Sequence, residues 1–297
     1  MTILEKIKKD GLLFDGAMGS LLIAKGLTPG EAPESWNIHS PEDILDIHRA
    51  YYAAGADVAS ANTFGASSMK LKKMGVSESM AKINRAGVEL ARQACGPDQF
   101  VAADIGDLGE MLAPMGPISP KEAVAAFADQ AAVMADAGVD LFIIETMFDL
   151  NMALAAVQGI RSVTDIPVAC SLTFKETPKG FFTIFGNGPA DSMKALADEG
   201  CSMVGANCAM GSDTMIRLAG EIRQAVDIPV IVQPNAGLPQ TGADTELTYP
   251  EDENEFADNL MAIKALGIDV VGGCCGTTPD YIRTVRQRLQ EKKAGNL

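Results

Sequence analysis

The chain has 297 residues, 47% of them hydrophobic, which is enough to bury a large core. Its formal net charge of −15 argues against nucleic acid and anionic membranes as partners, because no basic surface is available to displace counterions from phosphate groups. The N-terminal residues lack the apolar core and cleavage site of a signal peptide, and no run of about 18 apolar residues occurs, so we expect a cytoplasmic protein without a membrane anchor.

Six cysteines occur in the chain, and two of them, Cys274 and Cys275, are adjacent. Neighbouring Cα atoms lie about 3.8 Å apart, which is less than the roughly 4.4–6.8 Å of a relaxed disulfide. We therefore expect these two residues to remain thiols in a reducing compartment.

Short apolar runs alternate with longer amphipathic stretches along the whole chain. Each run has the compact apolar character of a strand in a parallel sheet that is covered on both faces. The predicted strands are Leu12–Asp15, Asp57–Ala61, Phe100–Asp104, Leu141–Glu145, Pro167–Thr173, Met203–Asn207, Pro229–Gln233 and Asp269–Gly272.

The stretches between these strands have helical spacing. One of them begins with the N-cap residue Ser119, followed by a proline at the first helical position, and it ends at Gly138. Within it, Phe127, Ala131 and Met134 fall on one face. Several other predicted helices also stop at a glycine just before the next strand, namely at Gly55, Gly200 and Gly267.

Eight β-then-α units of about 30–40 residues each fit a single closed (β/α)8 barrel, or TIM barrel, of the α/β class. A doubly wound open sheet is the alternative, because strand order cannot be read from one sequence. No linker or low-complexity tract interrupts the chain, so residues 1–297 are interpreted as one domain. The polar stretch Thr241–Glu255 is predicted to be a loop between the seventh strand and its helix.

Polar and thiol groups are concentrated where the predicted strands end. In a barrel of this kind, active-site residues lie at the carboxyl ends of the strands and in the loops that follow them. The strand ends that carry such groups are Asp15–Ser20, Asn62–Phe64, Asp104–Asp107, Glu145–Thr146, Asn207–Cys208, Gln233–Gly237 and Gly273–Gly276.

Three thiols fall at the ends of two alternate strands of the predicted barrel. Cys208 ends the sixth strand, and Cys274 and Cys275 end the eighth. Because alternate strands contribute side chains to the same interior layer, these sulfurs are predicted to converge at the rim. Three protein ligands and one open position are typical of a catalytic zinc site, and three thiolates leave a fourth, bound sulfur electron-rich.

The alternative for each cysteine is the role of a small buried hydrophobic residue, as for most free cysteines. This interpretation is preferred for Cys95, Cys170 and Cys201, which lie in a predicted helix, strand and loop. For Cys208 and the adjacent pair both interpretations stay open on spacing alone, because these residues do not form a local CxxC motif.

Six short motifs follow one another along nearly the whole chain: Asp15–Gly19, Ala61–Gly65, Glu145–Thr146, Gly205–Cys208, Pro234–Gly237 and Gly272–Pro279. In this order they resemble the homocysteine S-methyltransferase family. The likeness is closest to the N-terminal, homocysteine-binding barrel of cobalamin-dependent methionine synthase. Gly276 follows the double cysteine as in that branch, whereas the branch that uses S-methylmethionine typically has arginine there.

The resemblance implies a (β/α)8 barrel in which Cys208, Cys274 and Cys275 hold zinc and the homocysteine sulfur is the fourth ligand. It also implies a set of substrate contacts. These are acidic side chains for the amino group (Asp15, Glu145), backbone N–H groups for the carboxylate (Met18, Gly19, Ser20), a pocket residue (Thr63) and an asparagine near the metal (Asn235).

Without the resemblance, both a functional and a structural interpretation remain possible for the acidic residues and for the glycines after Asp15. The carboxylates of Asp15 and Glu145 need a partner if they are buried, and that partner is either a substrate ammonium group or an internal hydrogen bond. The glycines after Asp15 let backbone N–H groups approach an anion, or they simply form a tight turn.

Other polar and aromatic residues are interpreted as structural. His48 is assigned a surface or core role, and Trp36 either closes over the pocket or packs in the core. Asp104 and Asp107 form a candidate carboxylate pair, but methyl transfer to a thiolate needs no general base once a metal has taken the proton. Both are therefore assigned to the structure.

The expected activity is methyl transfer to homocysteine, giving methionine, with methylcobalamin on a separate corrinoid protein or domain as the donor. S-methylmethionine and S-adenosylmethionine are alternative donors. We find no second barrel and no corrinoid-binding domain in the sequence, so we expect a stand-alone subunit or a fragment of a longer enzyme. Outside the enzyme class, the alternative is a barrel that stores or senses zinc.

Overall fold

The structure is a computed structural model, and it describes residues 1–241 and 247–295. Its strands, numbered in chain order, are β1 (Leu12–Leu13), β2 (Val58–Ser60), β3 (Phe100–Ile105), β4 (Leu141–Met147), β5 (Val168–Leu172), β6 (Lys175–Thr177), β7 (Gly180–Phe182), β8 (Met203–Gly211), β9 (Val230–Asn235), β10 (Gln240–Thr241), β11 (Leu247–Thr248) and β12 (Val270–Val271).

Eight of these strands form one parallel sheet in the order β1-β12-β9-β8-β5-β4-β3-β2. The two ends of the sheet also meet, because a parallel bridge joins Phe14 to Val58 and the Asp57 N–H donates to the Leu13 carbonyl over 2.7 Å. The sheet is therefore closed. This confirms the predicted (β/α)8 barrel, with a strand at each predicted run, and excludes the open doubly wound sheet.

Helices follow the barrel strands and surround them. They are α1 (Ile3–Asp10), α2 (Gly19–Ala24), α3 (Trp36–His39), α4 (Pro41–Ala54), α5 (Ser68–Lys73), α6 (Met80–Ala94), α7 (Pro120–Ala137), α8 (Leu150–Arg161), α9 (Pro189–Asp198), α10 (Ser212–Ala225), α11 (Glu253–Ala265) and α12 (Pro279–Ala294). None of those in residues 1–241 and 247–295 is long and apolar enough to span a membrane.

Local sequence explains the clearest of these helices. At the start of α7, Ser119 and Glu122 form a reciprocal capping box, and proline occupies the first turn. The helix ends at Gly138, whose φ of 92° is the left-handed conformation that glycine adopts without strain. The predicted boundaries of this helix are confirmed.

Two apolar layers hold the barrel together. Side chains from the strands fill its interior, and Ile3 and Ile7 of α1 pack into the same cluster. A larger cluster lies between the strands and the surrounding helices and includes Ile44, Tyr51, Phe127, Ile160 and Phe256. Both faces of each strand are thus covered, which is why the strands read as short, continuous apolar runs.

The structure differs from the predictions in the segments that lie outside the eight-stranded sheet. Strands β6 and β7 form a hairpin that the sequence analysis did not identify. Part of a second hairpin lies in the predicted loop Thr241–Glu255, because β10 pairs with β11. Helix α11 begins two residues before the predicted end of this loop. Residues 242–246 of that prediction lie outside the described residues.

Candidate active site

The three thiols predicted to converge do meet at the carboxyl end of the barrel. Their sulfurs all lie within 4.8 Å of one another, and Cys208 Sγ is 3.9 Å from Cys275 Sγ. Zinc–thiolate bonds of about 2.3 Å in a tetrahedral arrangement place neighbouring sulfurs about 3.8 Å apart. The donor atoms and their spacing therefore fit a zinc ion.

Cys208 reaches this position through a bulge in β8. The pairing of β8 with β9 shifts register between Asn207 and Gly211, and Cys208 and Ala209 have φ values of 60° and 61°. Left-handed backbone at residues other than glycine costs on the order of 1–3 kcal/mol each and is concentrated at functional sites. Bulges beside active sites commonly redirect a side chain, and this one accompanies the approach of Cys208 to the other thiols.

A second irregularity lies in β4, next to Glu145. Its register with β5 shifts between Ile144 and Met147, and Thr146 has a φ of 56°. The side chain of Asn207 joins the two irregular segments, because its Oδ1 accepts from the Thr146 N–H over 2.8 Å and its Nδ2 donates to Thr146 Oγ1 over 2.7 Å. Asn207 thus fixes Glu145 and Cys208 relative to each other.

The adjacent cysteines lie on a loop held between its two neighbours in the barrel. The Gly273 N–H donates to the Asp15 carbonyl over 2.9 Å, and the Cys274 N–H donates to the Pro234 carbonyl over 2.8 Å. Thr277 Oγ1 donates back to the Cys274 carbonyl over 2.7 Å. These bonds connect the loop after β12 to the segment after β1 and to the end of β9.

The thiols open into a cavity of about 290 Å³ at the centre of the barrel mouth. Its walls carry four acidic side chains, Asp15, Glu34, Asp104 and Glu145. The other lining residues include Gly16–Ser20, Phe64 and Gln233. Among the lining residues that the structure describes, none is lysine, arginine or histidine, so the cavity suits a small ligand with a positive charge.

Five of the predicted substrate residues line this cavity: Asp15, Met18, Gly19, Ser20 and Glu145. Asp15 already has internal partners, since its two oxygens accept from the Ser60 N–H over 2.8 Å and from Ser60 Oγ over 3.2 Å. Asp15 thus has the internal hydrogen bonds of the structural interpretation, and it also lines the cavity.

Thr63 and Asn235, the other two predicted substrate residues, lie outside the lining. Thr63 is fully buried, and its hydroxyl is bonded to the backbone of Asp104. Asn235 lies against the thiol cluster, where its side chain donates a hydrogen bond that favours the thiolate form of Cys208. Its buried Oδ1 has no hydrogen-bond partner within residues 1–241 and 247–295.

Burial and hydrogen bonding shift the acidity of these groups. The Cys274 and Cys275 thiols donate hydrogen bonds that lower the pKa of Cys208 to about 3, and the same interaction with Cys208 raises the pKa of Cys275 to about 12. Burial raises the pKa of Asp15 to about 7. Burial, followed by the nearby charge of Cys208, raises the pKa of Glu145 to about 8.

The sequence analysis missed two acidic residues of the cavity. Asp104 was assigned to the structure, and Glu34 was not considered, yet both line the wall. The strand-end rule identified the position of Asp104 but not its exposure to the cavity.

Two further residues of the sequence analysis, Trp36 and His48, do not line the cavity. Trp36 is packed in the core, where its Nε1 donates to Glu31 over 2.7 Å. His48 is buried in α4.

These features define a (β/α)8-barrel protein with a three-thiol site at the rim of an acidic cavity. The chain belongs to the homocysteine S-methyltransferase family, whose model matches residues 12–289. The family resemblance inferred from the six motifs is thereby confirmed.

Curated relatives agree with this assignment. The methionine synthases of Mycobacterium leprae and Mycobacterium tuberculosis are 33% and 32% identical to this chain, each over 301 aligned residues and 95% of the chain. The alignments cover 24% and 25% of those proteins, so the chain spans about a quarter of the length of the curated relatives it matches.

Solved structures support the fold. The metallated form of the homocysteine methyltransferase MmuM from Escherichia coli matches with a TM-score of 0.78 and 24% identity, over 95% of this chain and 97% of that one. The apo form of the same enzyme matches with a TM-score of 0.73 and 24% identity, over 97% of this chain and 98% of that one.

Proposed function

We propose that this protein methylates the sulfur of homocysteine, giving methionine, and that Cys208, Cys274 and Cys275 hold a zinc ion for this reaction. The observation that carries the proposal is the meeting of three thiols at the rim of a cavity lined by carboxyl groups. Membership of the homocysteine S-methyltransferase family and the similarity to methionine synthases support it.

Zinc bound by three thiolates supplies a Lewis-acidic position at which a substrate thiol loses its proton near neutral pH. The chain itself then has only to bind and orient the substrate. Glu145 and Asp15 receive the substrate ammonium group, and the backbone of Met18–Ser20 faces its carboxylate. The Asn235 amide, beside Cys208, orients the metal-binding thiolate.

In the reaction, the homocysteine sulfur forms a bond to the methyl carbon as the bond between that carbon and the donor breaks. The thiol proton passes to solvent before this step, so no side chain has to act as a general base. The carboxyl groups of the cavity are thereby free to hold the substrate rather than to transfer protons.

Methylcobalamin on a separate corrinoid protein or domain is the proposed donor. A cavity of about 290 Å³ accommodates a small amino acid but not a corrinoid ring. The donor therefore presents its methyl group from outside the barrel mouth. Within this proposal the barrel is one domain and acts in the cytoplasm.

Metal analysis combined with zinc-edge spectroscopy tests the site. We expect one zinc per chain with three sulfur ligands, and four sulfur ligands after homocysteine is added. A zinc environment that stays the same on addition of homocysteine would contradict the proposed binding mode.

A methyl-transfer assay tests the activity and the donor. The protein is incubated with homocysteine and methylcobalamin, S-methylmethionine or S-adenosylmethionine, with and without a chelator. Methionine formed from methylcobalamin and abolished by chelation is the expected result. Turnover with only one of the other donors would replace the proposed donor, and zinc binding without turnover would favour a storage protein.

A further inference from the structure

Asp104, at the end of β3, lines the cavity with a carboxyl oxygen that has no partner. Asp104 is 8% exposed, and its Oδ1 accepts no hydrogen bond from any described group. The other two acids of the proposed ammonium site are better satisfied. Asp15 accepts two hydrogen bonds from Ser60, and Glu145 Oε2 accepts one from Asn207 Nδ2 over 3.5 Å.

The backbone of Asp104 is held firmly despite this unsatisfied side chain. Thr63 Oγ1 donates to the Asp104 carbonyl over 2.8 Å and accepts from the Asp104 N–H over 3.1 Å. Gln130 Nε2 in turn donates to the Thr63 carbonyl over 3.0 Å. A buried acceptor without a partner destabilises the folded state. Because Asp104 lines the cavity, unlike the equally unpartnered His48, a ligand in the cavity can supply the missing donor.

The electrostatics of the cavity identify the charge of that donor. Asp104 and Glu145 line the same cavity from the neighbouring strands β3 and β4. After burial, the charge of Glu145 is the largest influence raising the pKa of Asp104. Asp15 and Glu34 act on Asp104 in the same direction. Lys70, whose charge acts on Asp104 in the opposite direction, is paired with Asp107 at 3.3 Å and lies 4.7 Å from the centre of the Phe64 ring. A cationic ligand group would relieve the repulsion among these acids.

We propose that Asp104 is a specificity-determining residue that accepts a hydrogen bond from the ammonium group of the substrate, beside Glu145 and Asp15. The inference rests on the proposed function, in which that substrate is homocysteine. A primary ammonium group has three N–H donors, and Asp15, Asp104 and Glu145 offer carboxyl acceptors in the same cavity. Asp104 thereby selects thiols that carry an amino group over thiols that lack one.

Binding measurements on the zinc-loaded protein test this assignment without any methyl donor. The dissociation constants of homocysteine and of 4-mercaptobutanoate, its analogue without the amino group, are measured by calorimetry. The wild-type protein, Asp104→Asn and Asp107→Asn are compared. Asp107 is the matched control, because it is an acid three residues further along that pairs with Lys70 and does not line the cavity.

We expect Asp104→Asn to weaken homocysteine binding roughly ten- to hundredfold, the range for a hydrogen bond to a charged group, while binding of 4-mercaptobutanoate is unchanged or tighter. Asp107→Asn should leave both constants unchanged. Zinc content and the melting curve of each variant show that the site and the fold persist.

Two results would overturn the inference, and they are distinguishable from failure of the proposed function. Equal weakening of both ligands by Asp104→Asn would assign the residue a structural role, and no effect on homocysteine would remove it from the site. Failure of the wild-type protein to bind homocysteine at all would instead refute the proposed function, and this inference with it.

Discussion

The ring of Tyr249 packs directly against the backbone of Gly276, the residue that follows the double cysteine. A Cβ atom on residue 276 would lie 2.2 Å from Tyr249 Cγ, a distance that real Cβ atoms do not tolerate. Gly276 also has a φ of 84°, in the left-handed region. Steric contact and backbone conformation thus both restrict this position to glycine, and they place an aromatic ring beside the thiol cluster.

Gly276→Ala is therefore expected to displace Tyr249 and to destabilise the protein by about 1–3 kcal/mol. Urea denaturation measures the loss. Gly75→Ala is the matched control, since Gly75 has a φ of 73° but open space around its Cβ position. If the two substitutions lower the free energy of unfolding equally, the whole loss at Gly276 comes from backbone strain and none of it from the contact with Tyr249.

Cys208→Ala should abolish stoichiometric zinc binding and methyl transfer, while the fold survives because this side chain is only half-buried at the barrel rim. Metal analysis and circular dichroism measure the two effects. Cys95→Ala, at a half-buried cysteine far along the chain from the cluster, should keep its zinc. Retention of one zinc per chain by Cys208→Ala would remove Cys208 from the site.

Thr63→Val removes the hydroxyl that bonds twice to the backbone of Asp104. We expect a loss of about 1–2 kcal/mol in the free energy of unfolding and weaker homocysteine binding, with zinc content unchanged. Thr284→Val on α12, where the hydroxyl is exposed, serves as the control. Unchanged homocysteine affinity would show that Asp104 keeps its position without Thr63.

The stability of the metal-free protein should depend on the cavity acids. Burial raises the pKa of Asp15 from 3.8 to about 7 and that of Glu145 from 4.5 to about 8. Folded-state values above the unfolded ones mean that the folded protein keeps protons that the unfolded chain has released. The stability from these groups is fully present below about pH 4 and is lost as the pH rises through 7 and 8.

Urea denaturation across this pH range should therefore show a smaller fall in stability for the double variant Asp15→Asn/Glu145→Gln than for the wild-type protein. Parallel curves for the two proteins would assign the pH dependence to other groups.

His48 gives a pH dependence of the opposite sign. It is fully buried, neither ring nitrogen has a hydrogen-bond partner in the described part of the chain, and burial lowers its pKa from 6.5 to about 4. As the pH falls, His48 takes up a proton in the unfolded chain before it does so in the folded protein. The free energy of unfolding therefore decreases as the pH falls from 6.5 towards 4. His48→Leu should flatten that part of the curve and add about 1–3 kcal/mol at neutral pH.

The barrel could be predicted because each parallel strand is buried on both faces and therefore leaves an apolar run in the sequence. The strand-end rule then located the thiols and most of the cavity wall. The rule could not predict where the pairing between neighbouring strands becomes irregular. Strand β8 continues to Gly211, four residues past its predicted end, and its pairing with β9 is irregular after Asn207. Cys208 and Ala209 adopt left-handed backbone there, which neither residue type predicts.

Side-chain direction was the other limit. Thr63 follows one predicted strand and Asp104 ends another. The turn after β2 directs the threonine to the backbone of Asp104, while the aspartate side chain lines the cavity. Such choices depend on the angle at which each chain segment leaves the barrel. That angle is set by tertiary packing and not by the residue itself.

The barrel closes by bringing its first and last units together, and this has a consequence for biosynthesis. Ala17 and Thr277 are 260 positions apart, yet the Ala17 N–H donates to Thr277 Oγ1, and the Tyr51 hydroxyl donates to the carbonyls of both residues. A ribosome releases Cys208 long before the adjacent cysteines emerge. A nascent chain therefore has no complete set of thiols, and loading of the proposed zinc site must await almost the entire translation of the barrel.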